Sequence, residues 1–268
     1  MKIDSHVHIS IFENNAINLK AAFSALLKDM EANQVDFAII IPDNIENSSN
    51  IADLEKAREL IKNSNKFFLL ASPLIIERGS SEIEKYKKLI QDGVVKGIKL
   101  FPGHDPYYPT DKRCLPYYKL CQSLDCPVLF HTGANSDDIN CLKWNDPKYI
   151  VEIAKKYPRL KIGIAHYFWP KLEYCYEITK NIPNIYFDIS AMADDEVIEK
   201  SGGIKKMKNV LKKTINNRSD NVILGSDWPM CKIKDHIDIV NSLNLESDVK
   251  NKIFYKNSIN LYKLAIKL

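Results

Sequence analysis

The sequence predicts a parallel α/β barrel, a (β/α)8 fold filling residues 1–268 as one domain. Three observations predict it. Eight short, apolar, β-branched segments recur along the chain, amphipathic helical stretches lie between them, and strand starts repeat about every 31 residues, the size of one βαβ step. The strands are expected at Lys2–Ile9, Val35–Pro42, Lys66–Ile76, Val95–Pro102, Cys126–Gly133, Leu160–Phe168, Asn184–Ala191 and Asn221–Pro229. Several are continuous apolar runs, such as Phe37 to Ile41, the pattern of a strand covered on both faces.

The helices follow from a different period. Asn18–Glu31 places Ala22, Phe23, Leu26, Leu27 and Met30 on one stripe, and Ser49–Lys62 does the same with Ile51, Leu54, Ala57, Leu60 and Ile61. Ser81 and Glu84 form a capping-box pattern that should open a third helix. Asp146-Pro147 reads as an N-cap followed by proline in the first turn. Ile204–Ile215 keeps Met207, Val210 and Leu211 on one side and turns its lysines to solvent. An open doubly wound sheet would announce itself with a Gly-rich phosphate loop after the first strand, and Ser5-His6-Val7-His8 is not one.

Composition narrows the function classes. The 38 basic and 34 acidic residues leave a net charge of +4, which gives no reason to expect nucleic-acid or anionic-membrane binding. The longest apolar run falls far short of the roughly 20 residues of a membrane span, and the start of the chain lacks a signal-peptide pattern, so the expected compartment is the cytoplasm. The six cysteines form no C-x-x-C pair and read as buried thiols.

Chemistry gathers where strands end. His6 and His8 are one strand period apart, so both point to one side, with Asp4 behind them. The fifth strand ends at His131, the sixth at His166 and the eighth at Asp227, so four of the six histidines and an aspartate sit on the rim where barrels build active sites. That many polar groups need compensating partners, and a cation supplies them. Three histidines and a carboxylate suit zinc first, and also manganese, iron or cobalt. Lys99, at the end of the fourth strand, is suited either to holding a substrate carboxylate or, as a carbamate, to bridging two metals.

The ordered set His6-x-His8, Lys99, His131, His166 and Asp227 resembles the amidohydrolase superfamily. The segments Gly-Ile-Lys-Leu-Phe-Pro, Phe-His-Thr-Gly and Gly-Ser-Asp-Trp-Pro are most similar to its amidohydrolase-related (amidohydrolase 2) branch. That branch holds small metal-dependent hydrolases and decarboxylases similar to aminocarboxymuconate-semialdehyde decarboxylase. The resemblance implies that His6, His8, His131 and Asp227 are ligands and that His166 is a ligand or orients the attacking water. It implies one metal ion if Lys99 is unmodified and two if it is carbamylated. TatD-like nucleases carry a carboxylate where Lys99 stands, which argues against phosphodiester cleavage.

The implied activity is hydrolysis of a C–N or C–O bond in an amide, cyclic amide, lactone or ester. Asp227 would shuttle the proton and His166 would stabilise the oxyanion. The alternative is nonoxidative decarboxylation, and a third class is a binding barrel without turnover. Substrate contacts are expected from Lys99, His104, Tyr107, Arg113, Trp169 and Trp228, with a surface ion pair as the plainer reading of Arg113 and packing as an equal reading of the two tryptophans. The expected partner is a small molecule, with no nucleic acid or membrane, and base rates favour a homodimer.

Overall fold

The eight strands form in the predicted order: β1 (Ile3–Val7), β2 (Phe37–Ile40), β3 (Phe67–Leu69), β4 (Ile98–Leu100), β5 (Val128–Phe130), β6 (Ile162–Ala165), β7 (Ile185–Asp188) and β8 (Val222–Ile223). The computed structural model describes residues 1–12, 15–135 and 138–266. Every strand lies inside its predicted segment and is shorter than it, because the ends of the segments leave the sheet as rim loops. The third departs furthest: after Leu69 the chain passes Pro73, which has no N–H to give a ladder, and turns into a helix at Ile75.

Twelve α-helices are described: α1 (Leu19–Ala32), α2 (Leu54–Ile61), α3 (Ile75–Arg78), α4 (Ile83–Gln91), α5 (Leu115–Leu124), α6 (Pro147–Lys156), α7 (Leu172–Thr179), α8 (Asp195–Lys200), α9 (Ile204–Arg218), α10 (Ile233–Asn241), α11 (Ser247–Asn251) and α12 (Asn257–Tyr262). Caps decide where several begin. Asn18 accepts the Ala21 N–H at 2.9 Å, and Asp146 accepts the Lys148 N–H at 2.9 Å with Pro147 in the first turn. α2 starts later than its apolar stripe implies, because Asp53 takes the cap by accepting the Lys56 N–H at 2.9 Å. The capping box at Ser81 and Glu84 does not form: the Ser81 N–H is committed to Arg78 O at 3.0 Å in the turn leaving α3, and α4 opens after Glu82 without a side-chain cap. Gly202 and Gly203 carry φ of 91° and 92° where α8 gives way to α9, so this pair closes one helix and starts the next.

All strand pairs are parallel, in two arcs, β1-β2-β3 and β4-β5-β6-β7-β8. Single parallel bridges join the arcs, Ala71 to Ile98 on one side and Val7 to Trp228 on the other. At the second junction Ser5 N–H donates to Leu224 O at 2.8 Å, Asp227 N–H to His6 O at 2.8 Å and His8 N–H to Trp228 O at 2.7 Å, which closes the barrel.

Alternation sorts the strand side chains. Ala38, Ile40, Leu100, Val128, Phe130, Ile162 and Ile164 join the cluster shared with the helices, while Ile39, Ile41, Leu70, Leu129 and Ile223 join a second cluster with Leu261 and Tyr262 of α12. Gly163 leaves the room that Leu129 fills there, since a Cβ would come within 2.4 Å of the Leu129 Cδ1 and displace it. α12 is tied to the strands by the Ser5 and Ser258 hydroxyls, 2.6 Å apart, and by Asn257 donating to Val222 O at 2.7 Å. The six cysteines are buried and free, and no helix among the described residues is long and apolar enough to cross a membrane.

α10 contributes a buried histidine that the rim pattern does not include. His236 Nδ1 donates to Lys232 O at 3.1 Å, and its Nε2 accepts the Ala193 N–H at 3.2 Å, so the ring is held neutral with both nitrogens used. Burial pushes its pKa below the ordinary 6.5 despite nearby carboxylates. Below that pH the unfolded chain takes a proton that the folded chain refuses, so this group's contribution is complete above pH 6.5 and is lost as pH falls. In His236→Gln, urea-unfolding free energy should therefore decline less steeply from pH 7 to 5, by up to about 1.4 kcal/mol per pH unit. Parallel slopes in variant and wild type would show that the histidine carries no such linkage.

Candidate active site

β1 delivers His6 and His8 to one side of the barrel mouth, and Asp227, following β8, is locked beside them through its backbone bond to His6 O. Asp227 Oδ1 lies 3.4 Å from His6 Nε2 and 3.4 Å from His8 Nε2. Donor atoms of all three residues fall within 4.8 Å of one another. Two ligands about 2.1 Å from one ion at a tetrahedral angle are about 3.4 Å apart, so this donor set has the spacing of a single divalent cation. His166, after β6, brings Nδ1 to 3.9 Å from Asp227 Oδ2, and its ring centroid is 5.0 Å from that of His6. His131, after β5, stands 4.9 Å from His166 and 4.2 Å from His104, ring centre to ring centre. Its Nε2 is buried and has no hydrogen-bond partner among the described residues, as an unused ligand atom would be.

Lys99 of β4 is fully buried. Its Nζ lies 3.4 Å from His6 Nε2 and 5.1 Å from the Phe101 ring centre, and no carboxylate among the described residues is within ion-pair distance. Burial lowers its pKa to about 8. Burial likewise holds His6, His131 and His166 in the neutral form, His166 at about 3. Burial alone would raise the pKa of Asp227, but His166, His8 and His6 more than offset it, so its carboxyl sits well below the usual range and is anionic. The mouth thus offers neutral imidazole lone pairs around a carboxylate, which is the protonation state that metal ligation requires.

The backbone at the rim is unusual. His166, Ala191 and Asp227 leave three successive strands with φ of 60°, 61° and 71°. The left-handed region costs an L-residue about 1 kcal/mol or more, and such positions concentrate at functional sites.

Two cavities meet at this rim and share His104, His131, His166, Asp227 and Met230. The smaller, about 210 Å³, adds Lys99, Asp43 and the apolar Phe12, Ile51 and Phe101. The larger, about 510 Å³, adds Trp169 and the carboxylates Asp194 and Glu196. Of the residues expected to contact substrate, Lys99, His104 and Trp169 therefore line the mouth. The other three lie elsewhere. Tyr107 is buried with its hydroxyl accepting the Phe101 N–H at 2.8 Å. Arg113 is paired with Asp111 at 2.8 Å, its surface ion-pair reading. Trp228 is buried, and its indole bonds to Asp29.

Sequence reasoning missed Asp188, Ser190 and Asp43. Asp188 ends β7, fully buried, with Oδ2 2.5 Å from His6 Nδ1. Its signal was an aspartate closing an apolar run, Ile185-Tyr-Phe-Asp188, in a strand from which no functional residue was expected. Asp43 follows Pro42 at the end of the second strand, the position at which the other strands supplied candidates.

Comparison with known proteins bears on the fold and the family. No curated protein matches the chain. Among solved structures, an uncharacterized TIM-barrel protein from Bordetella bronchiseptica is similar at a TM-score of 0.77 and 18% identity, covering 97% of each chain. A probable 2-pyrone-4,6-dicarboxylic acid hydrolase from Acinetobacter baumannii, with citric acid bound, is similar at a TM-score of 0.69 and 14% identity, over 98% of this chain and 99% of that one. A 5-carboxyvanillate decarboxylase from Novosphingobium aromaticivorans, complexed with manganese and 4-hydroxy-3-methoxy-5-nitrobenzoic acid, is similar at a TM-score of 0.64 and 14% identity, over 98% and 96%. Likenesses at this identity establish the barrel. The amidohydrolase family model matches residues 3–264, nearly the whole chain, and the protein belongs to the amidohydrolase family.

Proposed function

We propose that the protein is a divalent-metal-dependent hydrolase that adds water across a C–N or C–O bond of a small organic substrate (an amide, cyclic amide, lactone or ester) carrying a carboxylate. The observation that carries this reading is the single-ion spacing of His6, His8 and Asp227 at the edge of a cavity that also holds a buried Lys99 with no ion-pair partner among the described residues. When bound, the cation supplies Lewis-acid activation of water and of the substrate carbonyl. Asp227, anionic at neutral pH, accepts the proton of the attacking water and passes it to the leaving nitrogen or oxygen. Lys99 holds the substrate carboxylate and so orients the scissile bond. His166 Nδ1 faces the Ser190 carbonyl at 3.3 Å, which can only accept, so its Nε2 carries a lone pair. That suits orienting a water or joining the ligand set, rather than the oxyanion-donor role considered from sequence. Zinc as the metal, the cytoplasm as compartment and a homodimer without nucleic-acid or membrane partners are further parts of this proposal.

A second reading, nonoxidative decarboxylation, is favoured by the decarboxylases among the structural neighbours, one of them holding manganese. There the C–C bond to the carboxylate breaks, CO₂ leaves and the ring carbon takes a proton. The metal-reconstituted chain, incubated with a panel of carboxylated lactones, cyclic amides, esters and hydroxybenzoates, separates the two. Products one water heavier than substrate are expected. CO₂ release without hydrolysis would establish the second reading. Turnover of nothing by fully loaded protein would point to a binding barrel.

A further inference from the structure

The histidines of the donor set have a second side, and its chemistry is not part of the reaction just described. We propose that Asp188 is a positioning residue that locks His6 in the tautomer protonated at Nδ1 and, through Ser190, does the same for His166, so that both rings present an Nε2 lone pair to the cavity. The metal reading above enters only in what the His6 lone pair then binds.

The bonds leave one arrangement of protons. Asp188 Oδ1 accepts the Ser190 N–H at 3.0 Å, and Oδ2 lies 2.5 Å from His6 Nδ1. A carboxylate has no proton to give, so His6 Nδ1 must carry one. Ser190 Oγ lies 3.0 Å from His6 Nδ1 and 3.1 Å from His166 Nδ1, while the Ser190 carbonyl lies 3.3 Å from that same His166 nitrogen. His166 is therefore also protonated at Nδ1, and the serine hydroxyl is free to donate to Asp188, which it contacts. Asp188, Ser190 and both imidazoles are buried, so water cannot substitute for any of these bonds.

The surroundings are built to this contact. A Cβ at Gly225 would fall 2.3 Å from Asp188 Oδ1 and 2.8 Å from His6 Cβ, so only glycine on the adjoining strand end lets the pair approach. A buried carboxylate is costly unless compensated, and three donors converge on this one. Fixing the tautomer and angle of a ligand ring is the general use of a carboxylate behind a metal-binding histidine.

Asp188→Asn tests the proposal. The donors at Ser190 claim the amide oxygen, which turns the amide N–H₂ toward His6 Nδ1 and forces its proton to Nε2. Long-range ¹H–¹⁵N correlation spectra of the metal-free full chain should show His6 protonated at Nδ1 in wild type and at Nε2 in the variant. Zn²⁺ affinity, measured against a chromogenic chelator, should fall about 10–100-fold while the circular dichroism spectrum is retained. An unchanged His6 tautomer with unchanged affinity overturns the proposal. So does a wild-type protein whose His6 is protonated at Nε2, whether or not the variant folds. Wild type that binds no Zn²⁺ overturns the metal reading instead, and the tautomer spectra then still decide the role of Asp188.

Discussion

In the His6→Ala/His8→Ala double variant, divalent metal is expected to fall from about one equivalent per chain to a trace, because two of the three donors at single-ion spacing are gone and Asp227 alone cannot hold an ion against water. Elemental analysis of protein purified under metal-replete conditions reads this directly. The two histidines differ in their second consequence. His6 is fully buried against Asp188, so removing it takes from that buried carboxylate the donor at Oδ2 and costs about 1–3 kcal/mol of stability. His8 is partly open to the cavity and its Nδ1 has no hydrogen-bond partner among the described residues, so His8→Ala alone should lose metal with little change in the metal-free melting temperature. Full metal content in the double variant would refute the ligand assignment.

Lys99→Met is expected to stabilise the metal-free protein by about 3 kcal/mol near pH 7, the free-energy equivalent of lowering a lysine pKa from 10.5 to about 8. The sign follows from proton counts. Between those values the unfolded chain holds a proton that the folded one has lost, so wild-type stability climbs as pH rises from about 8 toward 10.5, and below that window the full cost of burying the ammonium is felt. Methionine has similar length and no charge, so it fills the site beside Phe101 without this cost. The same change removes the cation proposed to anchor the substrate carboxylate, so KM for a carboxylated substrate should rise steeply while the metal stays bound. Urea unfolding at pH 7 and pH 10 would show the stability gain shrinking with pH. A variant less stable than wild type at pH 7 would mean that the contact with His6 Nε2 more than offsets the cost of burying the ammonium.

The parts of this molecule written in local pattern were legible. Strand alternation and the repeat of about 31 residues located all eight strands, and the residues closing β1, β5, β6 and β8 were singled out as candidates because barrel rims collect ligands there. Features set by competition between neighbours were not. Asp53 outbids Ser49 as the start of α2, and the turn after α3 consumes the Ser81 N–H that a capping box needs. Asp188 reads locally as one polar residue in an apolar strand, and its meaning comes from His6, 182 positions away. Arg113 and Trp228 stand close in sequence to mouth residues, yet their side chains are claimed by Asp111 and Asp29. The left-handed turns at His166 and Asp227 leave only a faint mark, since aspartate and histidine adopt that conformation more often than other side chains do but do not announce it as glycine does.

The barrel is a hoop with two joins, and the donors stand on opposite banks of one of them: His6 and His8 belong to the shorter arc, Asp227 to the longer. Any ion they share works as a clasp. Loading it and fastening the hoop become the same event, so occupancy should slow amide exchange along the β1–β8 join more than along the one between β3 and β4, where no such donor set is found among the described residues.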